Sequence, residues 1–101
     1  MLVSMTTVRG VEDLGEPARM AAETMRSWLR EFDGYRGTLV FVGESRRTAR
    51  FLTFWADAEA EHRSRPGRAR MREQMAATAG VELEGNEVYS VAFADQLESL
   101  A

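Results

Sequence analysis

Ala49-Arg50-Phe51-Leu52-Thr53-Phe54-Trp55-Ala56-Asp57-Ala58-Glu59-Ala60 reads as a strand that runs straight into a helix. Residues 49–55 are rich in the bulky side chains that strands favour. After Trp55 the side chains become small, and Asp57 is a good N-cap because its carboxylate can accept from the free N–H groups of a first turn. Glu59 and Glu61 stand where the positive end of the helix dipole favours acids. Glu59 with Arg63, and Glu61 with Arg65, have the favourable i,i+4 order.

Upstream, Glu44-Ser45-Arg46-Arg47 is a polar turn, and Leu39-Val40-Phe41-Val42 lies at the centre of a strand from about Gly37 to Gly43. The short link makes these two strands an antiparallel hairpin. Before them, Ala18, Ala22, Met25, Leu29 and Phe32 recur at three- and four-residue steps, with Ala21 and Trp28 widening the stripe, which predicts a helix. Gly15 and Pro17 open it and Asp33-Gly34 stops it. Residues 2–8 form a first strand that ends at Arg9-Gly10.

Downstream, Pro66-Gly67 is expected to interrupt the second helix, which restarts with Met71, Met75 and Thr78 or Ala79 on one side. Gly80 ends it. Glu84-Gly85-Asn86 reads as a turn, and a last strand runs from Glu87 to Phe93. The tail, Asp95 to Ala101, keeps Leu97 and Leu100 as docking residues. The order is βαββαβ: an α+β, ferredoxin-like fold with a four-stranded antiparallel sheet and two helices on one face, in one domain spanning residues 1–101.

A sheet with one wet face should alternate apolar and polar residues. These strands do not. With regular strands, one face carries Val3, Met5, Leu39, Phe41, Leu52, Phe54, Tyr89, Val91 and Phe93. That face would cover about 320 Å² in projection, from strands ~4.8 Å apart and roughly 17 Å long. It reaches the size of the largest apolar patch on a typical monomer. A second copy of the same sheet is its simplest cover, so a homodimer through the sheet face is expected. The opposite face carries Ser4, Thr6, Thr38, Thr53 and Ser90 among Val8, Val40, Phe51, Trp55, Val88 and Ala92. Small residues leave volume and hydroxyls supply placed hydrogen bonds, as in a mostly apolar ligand pocket. Threonine and valine also simply suit a sheet beneath helices.

Composition narrows the rest. The chain has no cysteine, which excludes thiolate chemistry and cysteine-bound metal. A net charge of −3 argues against nucleic acid as a partner. No apolar run reaches the ~20 residues needed to span a bilayer, so no membrane role is expected. Met1 to Thr7 lacks a basic segment and a long apolar run, so it is not read as a signal peptide, and a cytoplasmic location is expected. All 13 basic residues are arginine. The densest group runs from Ser64 through Arg65, Arg68 and Arg70 to Arg72. Such a run is usually a solvated helix face, but it can also draw an acidic substrate to a pocket mouth.

The segment from Phe51 to Ala60 resembles the antibiotic-biosynthesis monooxygenase family of the dimeric α/β-barrel superfamily. Members have a third strand ending in Trp, then a small residue and Asp or Ser, then a Glu-Ala pair opening the second helix. Arg9-Gly10 is similar to the family's exit from strand 1, and Asp33-Gly34-Tyr35-Arg36-Gly37 to its Pro-Gly-aromatic-x-Gly approach to strand 2. The resemblance implies face-to-face sheets in a dimeric α/β barrel, with a pocket between each sheet and its own helices. It also implies, for some members, oxidation of phenolic polycyclic compounds by oxygen without metal or flavin. Other members bind or degrade haem. This chain departs from the pattern in three places. Phe51 stands where oxygenase members often carry Asn. Ser64 stands where the second helix often has His or Ser, with His62 two residues before it. Ser4, Thr6 and Thr7 stand where the haem-degrading branch needs an Asn.

The expected function is that of a cofactor-independent monooxygenase-like protein acting on a small aromatic or polycyclic compound. The alternatives are a non-catalytic dimeric domain that binds a small apolar ligand, or a haem-binding member. The candidate catalytic residues are His62, the only imidazole, and Trp55. The candidate substrate-binding residues are Thr6, Met25, Trp28, Phe51, Thr53, Trp55 and Ser90. Each has a plainer reading: core packing for Trp28 and Trp55, and a solvated helix surface for His62. No metal site and no cofactor are expected.

Overall fold

A computed structural model describes residues 1–96, apart from the side chains of residues 78 and 79. The expectations for Thr78, Ala79, Leu97 and Leu100 as packing residues therefore lie outside what is described. The elements are β1 (Leu2–Arg9), α1 (Gly15–Leu29), β2 (Tyr35–Val42), β3 (Thr48–Trp55), α2 (Ala58–Ala79) and β4 (Glu82–Ser90). The strands form one open antiparallel sheet in the order β2-β3-β1-β4. This is the expected ferredoxin-like arrangement. No helix among the described residues is long and apolar enough to cross a membrane.

Residues directly opposite each other in an antiparallel pair share a face. Ser4 lies opposite Thr53, and Thr6 opposite Phe51. Thr38 and Val40 lie opposite the same two β3 residues. Met5 and Leu39 both lie opposite Leu52, and Val3 lies between Phe54 and Tyr89. The division of the sheet into a hydroxyl-bearing face and a bulky face is therefore as expected. The helices cover the first. On the second, Phe41 is 52% and Tyr89 48% exposed.

Asp57 caps α2 as expected, its Oδ1 accepting from the Ala60 N–H at 2.8 Å. The interruption expected at Pro66-Gly67 does not occur: α2 is continuous through both residues. Pro66 faces solvent, as does His62, whose carbonyl loses its helical partner to the proline ring and can be hydrated instead. Gly67 is there for packing rather than termination. A Cβ on it would lie 2.9 Å from Cζ2 of Trp28 and 3.4 Å from Cζ of Phe32, so its bare backbone lets the aromatics of α1 approach α2.

The end of α1 also differs. The helix stops at Leu29 with Arg30 as its C-cap, and the left-handed Gly34 (φ 86°) serves the later turn into β2. A Cβ on Gly34 would stand 2.5 Å from that of Ala60. β4 starts five residues before the expected Glu87 and ends at Ser90, short of Phe93. Glu84-Gly85-Asn86 is not a turn between elements. Glu87 pairs with Met5 and Glu84 with Thr7, leaving Gly85 (φ 53°) and Asn86 opposite Thr6 as a β-bulge. Phe93, expected on the bulky face of the sheet, lies beyond the strand and is 85% exposed.

Candidate functional site

The inward stripe of α2 repeats every three or four residues: Ala60 and Glu61, Ser64, Gly67 and Arg68, Met71 and Arg72, Met75 and Ala76 are all buried or half-buried. The period is helical, but much of the stripe is polar. Charge at such positions is tolerated only with partners. Glu61, Ser64 and Arg68 supply one another. The Arg68 guanidinium donates to Glu61 Oε1 at 2.8 Å, to Ser64 Oγ at 2.8 Å and to the Glu61 carbonyl at 3.2 Å. Arg65 adds a second, outer cation on Glu61 at 2.9 Å. The carbon of the Arg68 guanidinium lies 5.2 Å from the centroid of the Trp55 ring, in cation–π geometry. Burial alone pushes the Glu61 carboxyl up, but the two guanidiniums outweigh it, so the group is held below the ordinary carboxylate range. Burial draws Arg68 down, and Glu61 partly restores it.

Beneath this stripe, the helices and sheet line a cavity of about 110 Å³ that is partly open to solvent. Ser4, Thr6 and Thr53 stand on its floor, with Phe51, Val8 and Ala49 beside them. α1 contributes Ala18, Ala21 and Met25. α2 contributes Arg68, Arg72, Met75 and Ala76. Arg72 reaches the floor, its Nη1 donating to Thr6 Oγ1 at 3.3 Å. The β4 bulge sits opposite that threonine on the neighbouring strand.

Four candidate residues, Thr6, Met25, Phe51 and Thr53, meet at this cavity. The others do not line it. Trp55 is fully buried behind it, packed with Leu29 and Ala60 and edge-on to Phe32 and Tyr35. Its indole N–H donates to Ser4 Oγ at 3.1 Å, so it holds one floor hydroxyl from outside the cavity. Trp28 belongs to the same aromatic cluster. Ser90 lies on the expected face, opposite Leu2, but is exposed at the strand end. His62 is exposed on α2, one residue out of phase with the inward Glu61. Thr38 pairs with the Tyr35 hydroxyl at 2.6 Å and lines a separate groove by β2.

Arg68 and Arg72 are the residues the sequence reading placed on a solvated face. The four-residue spacing Ala60-Ser64-Arg68-Arg72-Ala76 was the available signal, because it puts both arginines in register with small residues. Among the described residues, the lining has hydroxyls, two guanidiniums and apolar walls, and no carboxylate or imidazole. Such a site can bind, orient and dehydrate a ligand. Among the described residues, no three histidine or carboxylate side chains come together as a metal site.

The sequence matches no family model and no curated relative. Solved structures do match the fold. A candidate antibiotic biosynthesis monooxygenase from Deinococcus radiodurans superposes with a TM-score of 0.71 at 19% identity, over 96% of this chain and 98% of its own. SnoaB, a cofactor-independent oxygenase from Streptomyces nogalater, gives 0.70 at 10% identity, over 92% and 94% of the two chains. The monooxygenase ActVA-Orf6 from Streptomyces coelicolor, solved with nanaomycin D, gives 0.67 at 14% identity, over 94% and 92%. The protein therefore has the ferredoxin-like fold of the antibiotic-biosynthesis monooxygenases, as the segment from Phe51 to Ala60 led us to expect.

Proposed function

We propose that this chain is a cofactor-independent monooxygenase-like protein that oxidises a small aromatic compound in the cavity beneath its helices. The observation that carries this reading is the lining itself: a hydroxyl floor, apolar walls and the guanidiniums of Arg68 and Arg72. A phenol bound there as its anion needs little from the protein. The anion passes an electron to dioxygen, and the two radicals combine as a peroxide at a ring carbon. Uptake of one proton from solvent and loss of water, which carries away the proton of the ring carbon, then leave a quinone, with one oxygen atom in the product and the other in the water. The protein's part is to hold the ring, exclude solvent and favour the anion by its positive wall. Likeness of fold to SnoaB and ActVA-Orf6 supports this chemistry.

The test is oxygen uptake with a panel of one-ring and fused-ring phenols and quinols. Uptake that is lost in Thr53→Leu supports the proposal. Binding without uptake assigns the chain to the non-catalytic alternative.

We further propose that the bulky face is covered by a second copy of the chain. Phe41 and Tyr89 stand exposed there beside the half-buried Leu39, Leu52 and Phe54. Phe41→Glu should turn dimers into monomers or insoluble protein, because it would bury a charge in an apolar contact. A soluble Phe41→Glu dimer on light scattering would remove this face as the interface.

A further inference from the structure

The two arginines on the cavity wall are in opposite electrostatic situations. Arg68 is neutralised: Glu61, Ser64 and the face of Trp55 surround it. Arg72 is not. Among the described residues it donates to the neutral Thr6 hydroxyl, and no carboxylate is ion-paired with it. Burial works against its charge, and Glu73, exposed on the next position of α2, offsets this only through its field. A guanidinium keeps its proton in proteins, so the cation persists at a desolvation cost. Arg72 is half-buried, so the rest of its fork is accessible from the pocket side to solvent or to a ligand.

Size narrows that ligand. A volume of about 110 Å³ is somewhat below the ~150 Å³ engineered cavity that holds a benzene molecule. The pocket is partly open to solvent, so one ring is the scale of what it holds, with a polar substituent extending beyond the enclosed part. Shape narrows it further. A planar guanidinium fork matches a carboxylate through two parallel N–H donors, which a single alcohol or ether oxygen cannot use. The Thr53 and Ser4 hydroxyls on the same floor can serve a second polar edge.

We propose that the cavity takes a single-ring aromatic acid, with its ring among Met25, Phe51 and Met75 and its carboxylate on Arg72. This rests on the proposed function only in that the cavity is the ligand site, and it narrows the substrate from aromatic compounds in general to aromatic acids. Arg72 is then the residue that selects for charge, while Arg68 is a fixed part of the wall.

Benzoate and benzamide test this, because they share a shape and differ in charge. Calorimetric titration of the purified protein should show benzoate binding about ten-fold or more tightly than benzamide, the scale of a charge-assisted pair. Arg72→Met should close that gap by weakening benzoate about ten-fold more than benzamide. Arg72→Lys, which keeps the charge but not the fork, should retain part of the gap, and it serves if the methionine variant fails to fold. If benzamide binds as well as benzoate, or if the gap survives in Arg72→Met, the aromatic-acid assignment is overturned and the cavity remains a neutral-ligand site. If neither compound binds, the assignment and the use of the cavity as a ligand site both fall.

Discussion

The layer between sheet and helices has two ends, and they solve the same packing problem in opposite ways. Around Trp55 the space is filled: Leu29 and Ala60 are buried with it, and Trp28, Phe32 and Tyr35 close in edge-on. Around Thr53 and Phe51 the same two helices cover a hollow. The difference lies in side-chain size along one strand. β3 presents Trp55, Thr53, Phe51 and Ala49 in turn to the helices, and α1 faces the first with Leu29 and the last with Ala18. A filled end fixes the helices on the sheet, and that rigidity is what allows the other end to remain open. The two ends share a boundary, Ser4 and Arg68, which touch both Trp55 and the cavity.

If the filled end is the stabilising one, truncating it should have the largest effect. Trp55→Ala removes a fully buried ring and the donor to Ser4 and should cost ~3–5 kcal/mol in denaturant unfolding. A cost below about 1 kcal/mol would mean that this end is as loose as the other. The boundary comes next. Glu61→Gln should cost ~2 kcal/mol at pH 7, since it leaves the buried Arg68 without its counter-charge. The sign with pH follows from the lowered Glu61 value. The carboxylate's contribution is complete above the unfolded-state value of about 4.3 and is lost as pH falls through the lower folded value. Unfolding curves of the two proteins should therefore converge in strong acid. A difference that stays constant from pH 7 to pH 2 would show that the carboxylate's charge is not what matters.

The hollow end should respond differently. Thr53→Leu adds apolar volume where there is room and should change stability by no more than about 1 kcal/mol, while abolishing binding of any ring that uses the cavity. A loss of several kcal/mol would mean that the space closes up in solution. Smallest of all should be His62→Ala. The imidazole is exposed and outside the cavity lining, so stability should stay within about 0.5 kcal/mol and ring binding should be unchanged. A tenfold loss of binding or turnover would bring His62 back as a site residue by way of a movement of α2.

The sequence by itself determined what depends on neighbours along the chain. Alternation in Leu39-Val40-Phe41-Val42 and Phe51-Leu52-Thr53-Phe54-Trp55 divided the sheet into its two faces, because side chains in a strand must alternate. Asp57 marked the start of α2 because an N-cap acts within three residues. Thr6, Met25, Phe51 and Thr53 could be placed together because three of them share a sheet face and the fourth lies on the stripe that covers it. Only the tertiary structure decided the rest. Whether Pro66-Gly67 breaks a helix depends on Trp28, which comes from another element and needs the bare glycine. Whether Glu84-Gly85-Asn86 turns or bulges depends on Met5 and Thr7, the residues it must pair across. Whether Arg68 and Arg72 are solvated depends on which side of α2 meets the sheet. Charge predicts exposure only until a partner is within reach. Glu61, seven residues from Arg68, provides one, and Thr6, at the far end of the chain, gives Arg72 the little it has.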